Sequence, residues 1–195
     1  MNRIVILGTG HATVTRCYNT CFVLQTDTTT LLVDAGGGNG ILQRLKQAGI
    51  AIKDLHHMYV THAHTDHILG TIWVIRMVLS AAGYEGRFHV YSHAKVLRVI
   101  SMICGETLSA KHRRLMGERV VMHEVGDGTS FNVGDIGMQS FDIHSKKEPQ
   151  YGFRATLPGG AVVVCLGDEP YHPLCRRYAE GADWLMSRPR PLSSL

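Results

Sequence analysis

The sequence predicts a mixed α/β (α+β) fold, sheets with helices on their outer faces. Through residue 102, short β-branched runs alternate with apolar stretches at helical spacing. From residue 120 onward, strand-like runs follow one another with glycine-rich turns between them. The chain has 195 residues, 45% hydrophobic and 18% charged, enough for one sizeable core. The expected organisation is a single domain over residues 1–187. Residues 188–195, with prolines at 189 and 191, read as an irregular tail that need not be native.

Taken in order, residues 3–7 form a strand that enters the loop Gly8-Thr9-Gly10. His11 in that loop is either an exposed residue or part of a site lining. Two more strands follow over residues 21–25 and 30–34, and the second runs into Asp34-Ala35-Gly36-Gly37-Gly38. Asn39 is placed to cap a helix over residues 40–48, with Ile41, Leu42 and Leu45 on one face. Residues 57–60 read as a short buried strand, and residues 68–79 as a helix packed on a sheet. A strand over 88–91 and a helix over 92–102 come next, with His93 on the helix surface. Residues 105–118 are polar, a short helix or a loop. Strands are expected over 120–125, 130–133, 136–143, 151–157 and 161–166. Gly126-Asp127-Gly128 and Pro158-Gly159-Gly160 read as hairpin turns. A helix from 174 and a strand over 183–186 close the pattern.

The net charge of +4 is spread in pairs such as Arg113-Arg114 and Arg176-Arg177. Such pairs permit an anionic substrate without arguing for a large nucleic-acid footprint. Five cysteines at irregular spacing, with no CxxC, fit reduced and mostly buried thiols in a cytoplasmic protein. The N-terminal apolar run is too short for a signal peptide. Residues 70–83 carry Arg76 and are too short to span a bilayer.

The chemistry concentrates in Thr61-His62-Ala63-His64-Thr65-Asp66-His67, where three histidines and an aspartate fall within six residues. Imidazole and carboxylate are preferred nitrogen and oxygen ligands of zinc. The run sits where a strand turns into a helix, so several side chains can converge on one point. His62 and His64, two apart in extended chain, point to the same side and can share one ion. Asp66 and His67 follow the turn and can reach a second position close by. Two-metal hydrolytic sites hold their ions about 3.5–4 Å apart.

This His-x-His-x-Asp-His run resembles the signature of the metallo-β-lactamase superfamily. Leu7-Gly8-Thr9-Gly10 and Phe141-Asp142-Ile143-His144, followed by Tyr151-Gly152-Phe153-Arg154, make the chain similar to its ribonuclease Z and phosphodiesterase-like branch. The resemblance covers residues 4 to about 187. It implies an αββα sandwich with metals at the sheet edges. It further implies that Asp34 braces the metal loop, that His144 is the third histidine on the first ion, and that Asp168 bridges two ions. The implied ligands are therefore His62, His64, Asp66, His67, His144 and Asp168. The implied cofactors are two divalent ions, zinc ahead of manganese. The implied function is phosphodiesterase-type hydrolysis by a metal-activated water, with Asp66 as the catalytic residue that orients it. A carboxylic ester, thioester or lactone is the alternative substrate on the same site.

Two departures shape the expectation. Ribonuclease Z enzymes carry a glycine- and proline-rich tRNA-gripping arm between the third histidine and the bridging aspartate. Here a hairpin joins His144 to Asp168, so a small anionic ester is expected and tRNA is not. The family also places one more histidine well beyond the bridging aspartate, whereas this sequence offers only His172, which reads as a surface residue. The chain is thus read as shortened or altered at its C-terminal end. The second ion is then expected to be weak or absent, a catalytically weak metal-binding protein is a further alternative, and an uncovered sheet edge favours a homodimer.

Overall fold

A computed structural model describes residues 1–187 of the chain; the tail expected over 188–195 lies outside them. The chain divides into two compact units, Met1–Glu124 and a second that begins at Val125.

The first unit is a six-stranded sheet in plain chain order. Its strands are β1 (Arg3–Gly8), β2 (Cys21–Gln25), β3 (Thr30–Val33), β4 (His57–Tyr59), β5 (Phe88–Ser92) and β6 (Val120–Glu124). β1 to β3 are an antiparallel meander. From β3 to β6 every pair is parallel, and parallel neighbours need a crossover. α1 (Gly40–Gln47), α2 (Thr65–Ser80), and α3 (Ala94–Thr107) with the short α4 (Ala110–Arg114) supply the three crossovers. The helices bury Ile41, Leu45, Ile68, Val74, Ile75, Val78, Val96 and Ile100 against Val23, Leu32, Met58, Val90 and Val120 of the strands. Alternation along each strand puts those five on one sheet face.

The second unit is a five-stranded sheet in the order β11-β10-β9-β8-β7. β7 (Ser130–Val133), β8 (Ile136–Asp142), β9 (Tyr151–Thr156) and β10 (Val162–Cys165) form an antiparallel meander. A 3₁₀ turn (Pro173–Cys175) and α5 (Arg176–Ala179) lead to β11 (Trp184–Met186), which pairs parallel with β10. Phe141 stacks on Tyr178 at 4.0 Å and 5°. Together with Ile143, Val162, Val164, Leu166 and Cys175 they form this unit's core. Arg154 donates to the carbonyls of Tyr178 and Glu180 at the end of α5, which supplies partners a helix C-terminus otherwise lacks. β11 is tied in at both ends. The Val162 N–H donates to Asp183 Oδ2 at 2.7 Å, and the Leu166 N–H donates to the Met186 carbonyl at 2.8 Å.

Several expectations are corrected. Helix α2 starts at Thr65 rather than 68, so Asp66 and His67 stand in its first turn. Asn39 occupies the cap position of α1, but its side chain makes no capping bond. His93 is buried, 6% exposed, at the cap position of α3, because the strand before it carries it inward. The turn Gly126-Asp127-Gly128 is not a hairpin, since β6 and β7 belong to different sheets. Its Asp127 instead accepts from the Asp142 N–H at 2.9 Å. Pro158-Gly159-Gly160 does join an antiparallel pair.

Candidate metal centre

The first unit's site is built on the carboxylate of Asp34. Asp34 follows β3 with φ 54°, a left-handed conformation that aspartate tolerates better than most residues. Its N–H donates to the Tyr59 carbonyl. The turned backbone aims the carboxylate at the chain leaving β4. Asp34 Oδ1 accepts from the Thr61 N–H at 2.8 Å, and Oδ2 accepts from the Thr61 hydroxyl at 2.8 Å. The same Oδ2 lies 2.7 Å from His67 Nδ1.

These bonds fix two histidine tautomers. A carboxylate accepts only, so His67 Nδ1 carries the hydrogen and Nε2 the lone pair. The Thr61 hydroxyl hydrogen is spent on Asp34, so the 2.9 Å contact between Thr61 Oγ1 and His62 Nδ1 has imidazole as donor. Nε2 of His62 therefore also carries the lone pair. Orientation of ligand imidazoles by hydrogen bonds of this kind is the usual support of a metal centre.

The ligand candidates of this unit converge. The rings of His62 and His67 are 4.1 Å apart, and those of His62 and His64 are 4.6 Å apart. Asp66 Oδ2 lies 3.6 Å from His67 Nε2. His62, Asp66 and His67 are 0%, 5% and 1% exposed, and His64 is half-buried. Asp66 Oδ2 is buried with no hydrogen-bond partner among the described residues. A buried carboxylate oxygen in that condition is costly, and a cation relieves it. The donor set and this oxygen both fit a divalent ion.

The surrounding backbone is pinned. The Ala35 N–H donates to the His67 carbonyl at 3.1 Å, and the Gly70 N–H donates to the Gly36 carbonyl at 2.8 Å. The start of α2 is thus stapled to the loop after β3. A Cβ at Gly70 would sit 1.8 Å from the Ala35 oxygen, so only glycine permits this approach. Tyr18 Oη lies 2.8 Å from the carbonyls of both Ala35 and Gly38. Burial pushes its phenol up to about 12. Burial and the nearby Asp34 charge push the Cys21 thiol up as well, a sign of how dry the floor of the loop is.

The second unit holds the other two candidates. His144 follows β8 with φ 58°, and its N–H donates to Asp142 Oδ1 at 2.7 Å. Its side chain is 49% exposed. Asp168 follows β10 and is half-buried. Gln150, 2% exposed, ties their two loops. Its carbonyl accepts from the Ile143 N–H, and its Oε1 accepts from the Asp168 N–H at 3.3 Å. Ser145 donates to Glu169 at 2.7 Å, so the residues following His144 and Asp168 are joined directly. His11 is exposed, and its Nδ1 accepts from the Thr13 N–H at 3.4 Å. His172 is exposed and caps the 3₁₀ turn through its Nδ1. Thr61, Gln150 and Tyr18 were not singled out from sequence. Only Thr61, adjoining the histidine run, carried a local signal.

The sequence profile of the Anti-Pycsar protein Apyc1 family matches residues 2–172. The chain belongs to that family. It is 31% identical over 128 residues to the exodeoxyribonuclease YycJ of Bacillus anthracis, covering 65% of this chain and 42% of that one. It is 26% identical over 199 residues to the ribonuclease Z of Mycolicibacterium gilvum, covering 95% and 68%. Among solved structures it is similar to the metallo-β-lactamase fold protein YhfI of Bacillus subtilis. That likeness has a TM-score of 0.72 and 19% identity, over 93% of this chain and 69% of that one. The expected metallo-β-lactamase fold and the ribonuclease Z-like branch are therefore borne out for this member of the family. Matches to curated relatives span between 26% and 68% of those relatives' length. No helix among the described residues is long and apolar enough to cross a membrane.

Proposed function

We propose that this chain is a metal-dependent hydrolase of small phosphodiesters. The observation that carries the reading is the Asp34–Thr61 brace, which leaves the Nε2 lone pairs of His62 and His67 beside the buried carboxylate of Asp66. His64 completes the first unit's set, and His144 and Asp168 are the ligands we assign from the second. Divalent cations held there, zinc first and manganese second, would lower the pKa of a water and offset negative charge on a phosphoryl group. Asp66 would orient that water and accept its proton. Asp34 would hold both imidazoles against rotation while charge shifts in the site.

The relatives' activities, a ribonuclease and an exodeoxyribonuclease, support a phosphodiester over a carboxylic ester. The segment between His144 and Asp168 is filled by β9, a short turn and β10, which favours a small substrate over tRNA.

The test sets rates on a bis-aryl phosphodiester against rates on a thioester, with zinc or manganese restored after chelation. Metal-dependent turnover of the phosphodiester, lost by at least 100-fold in His64→Ala, is the expected result. A faster thioester rate, or a phosphodiester rate indifferent to chelation, would overturn the reading.

A further inference from the structure

One face of the second sheet changes character along its length. Where α5 covers it, Phe141, Val162 and Val164 are apolar and buried. By alternation and register, Gly137 and Gln139 of β8 lie on that same face, with Arg154 and Thr156 of β9 on one side and Ser130 and Asn132 of β7 on the other. These six residues line a groove of about 410 Å³. It takes the end of β8 and β9 away from His144.

Arg154 is half-buried in the groove wall. Its Nη1 donates to the carbonyls of Tyr178 and Glu180 at 2.7 and 3.0 Å, which uses both Nη1 hydrogens and fixes the guanidinium. Among the described residues its Nε and Nη2 have no acceptor, and its charge has no carboxylate within ion-pair distance. Those two nitrogens form an edge whose parallel N–H bonds match two oxygens of a carboxylate or phosphate. An anion there also offsets the cost of a partly desolvated charge. The side chains of Ser130, Asn132, Gln139 and Thr156 make no hydrogen bond among the described residues either, which leaves hydroxyls and amides for the polar groups of a ligand. Gly137 points the same way. Glycine inside a strand weakens it, and marks a bulge, a bend or the close approach of another group. Both ladders run through Gly137 without a register shift. A Cβ there would meet nothing nearer than Thr156 at 3.9 Å. The backbone does not need this glycine, and the hollow it leaves lies between Asn132 and Thr156, its register partners.

We propose that this groove binds a small oxyanion, a phosphate- or carboxylate-bearing metabolite with hydroxyl groups. Its anionic oxygens lie on the Nε–Nη2 edge of Arg154, and its polar body lies over Gly137 between Gln139, Asn132 and Thr156. The site is independent of the hydrolase reading.

Isothermal titration calorimetry of the full chain, with ribose 5-phosphate in one arm and malate in the other, tests it and separates the two kinds of oxyanion. At least one of the two is expected to bind, at one molecule per chain. Arg154→Lys keeps the charge and loses the fork, and is expected to weaken that binding by roughly tenfold or more. Gly137→Leu fills the hollow and is expected to weaken it as much. His64→Ala should bind as wild type does, and Gly137→Leu should hydrolyse the phosphodiester as wild type does, which separates the groove from the His62–His67 cluster. If Arg154→Lys fails to fold because the end of α5 loses its donor, Gly137→Leu carries the test. Binding of neither compound, wild-type affinity in Gly137→Leu, or loss of binding in His64→Ala would overturn the proposal.

Discussion

Thr61 is the residue on which the most chemistry turns for the least sequence signal. Its hydroxyl donates to Asp34 and accepts from His62, so it joins the two histidines whose lone pairs define the centre. Thr61→Val keeps the shape and removes the relay. Zinc affinity, measured by competition with a chromophoric chelator, should fall by about 10- to 100-fold, and Thr61→Ser should restore most of it. Asp34→Asn should cost as much or more, because an amide can present a hydrogen where His67 Nδ1–H needs an acceptor. The ligand run itself was legible because its chemistry lies in the side chains. Thr61 and Gln150 were not, because a supporting hydrogen bond is a matter of what folding brings alongside. His93 shows the converse. Histidine composition suggests a surface, yet strand direction buries it.

At the scale of elements, the parallel half of the first sheet and the antiparallel second sheet were readable as a change of pattern near residue 120. Boundaries shifted by a residue or a few. The one that mattered was the start of α2, placed three residues earlier by its staple to the loop after β3. The turn at 126–128 was misjudged for a physical reason. Glycine and aspartate announce that the chain reverses, but not which sheet receives it. The staple is the most vulnerable contact between elements. A methyl group at position 70 would meet the Ala35 carbonyl at 1.8 Å, and neither backbone can retreat without breaking the Gly70–Gly36 bond. Gly70→Ala should lower stability by roughly 2–4 kcal/mol or abolish folding; urea unfolding followed by circular dichroism measures it. Gly105→Ala, where a Cβ has open space, should change stability little or raise it slightly.

Across the whole molecule, the five thiols report on packing. Cys17 is exposed, and Cys21, Cys104, Cys165 and Cys175 are buried. A thiol-reactive dye at pH 8 should therefore label one cysteine per native chain and five in denaturant. Burial pushes the Cys104 thiol up to about 11. The unfolded chain sheds that proton near 8.5 while the folded chain keeps it. The contribution of Cys104 to stability is thus complete below about pH 8.5 and lost as pH rises towards 11. Denaturant midpoints across that window should fall less steeply in Cys104→Ala than in wild type.

The bonds that clasp β10 to β11 carry a consequence for how the protein is made. Asp168 emerges from the ribosome before the strand that steadies its own. Until residues 183–186 have been synthesised, the Val162 and Leu166 amides lack the partners that hold them in the finished sheet. The loop that presents Asp168 is therefore completed only after the whole of the first unit has been synthesised.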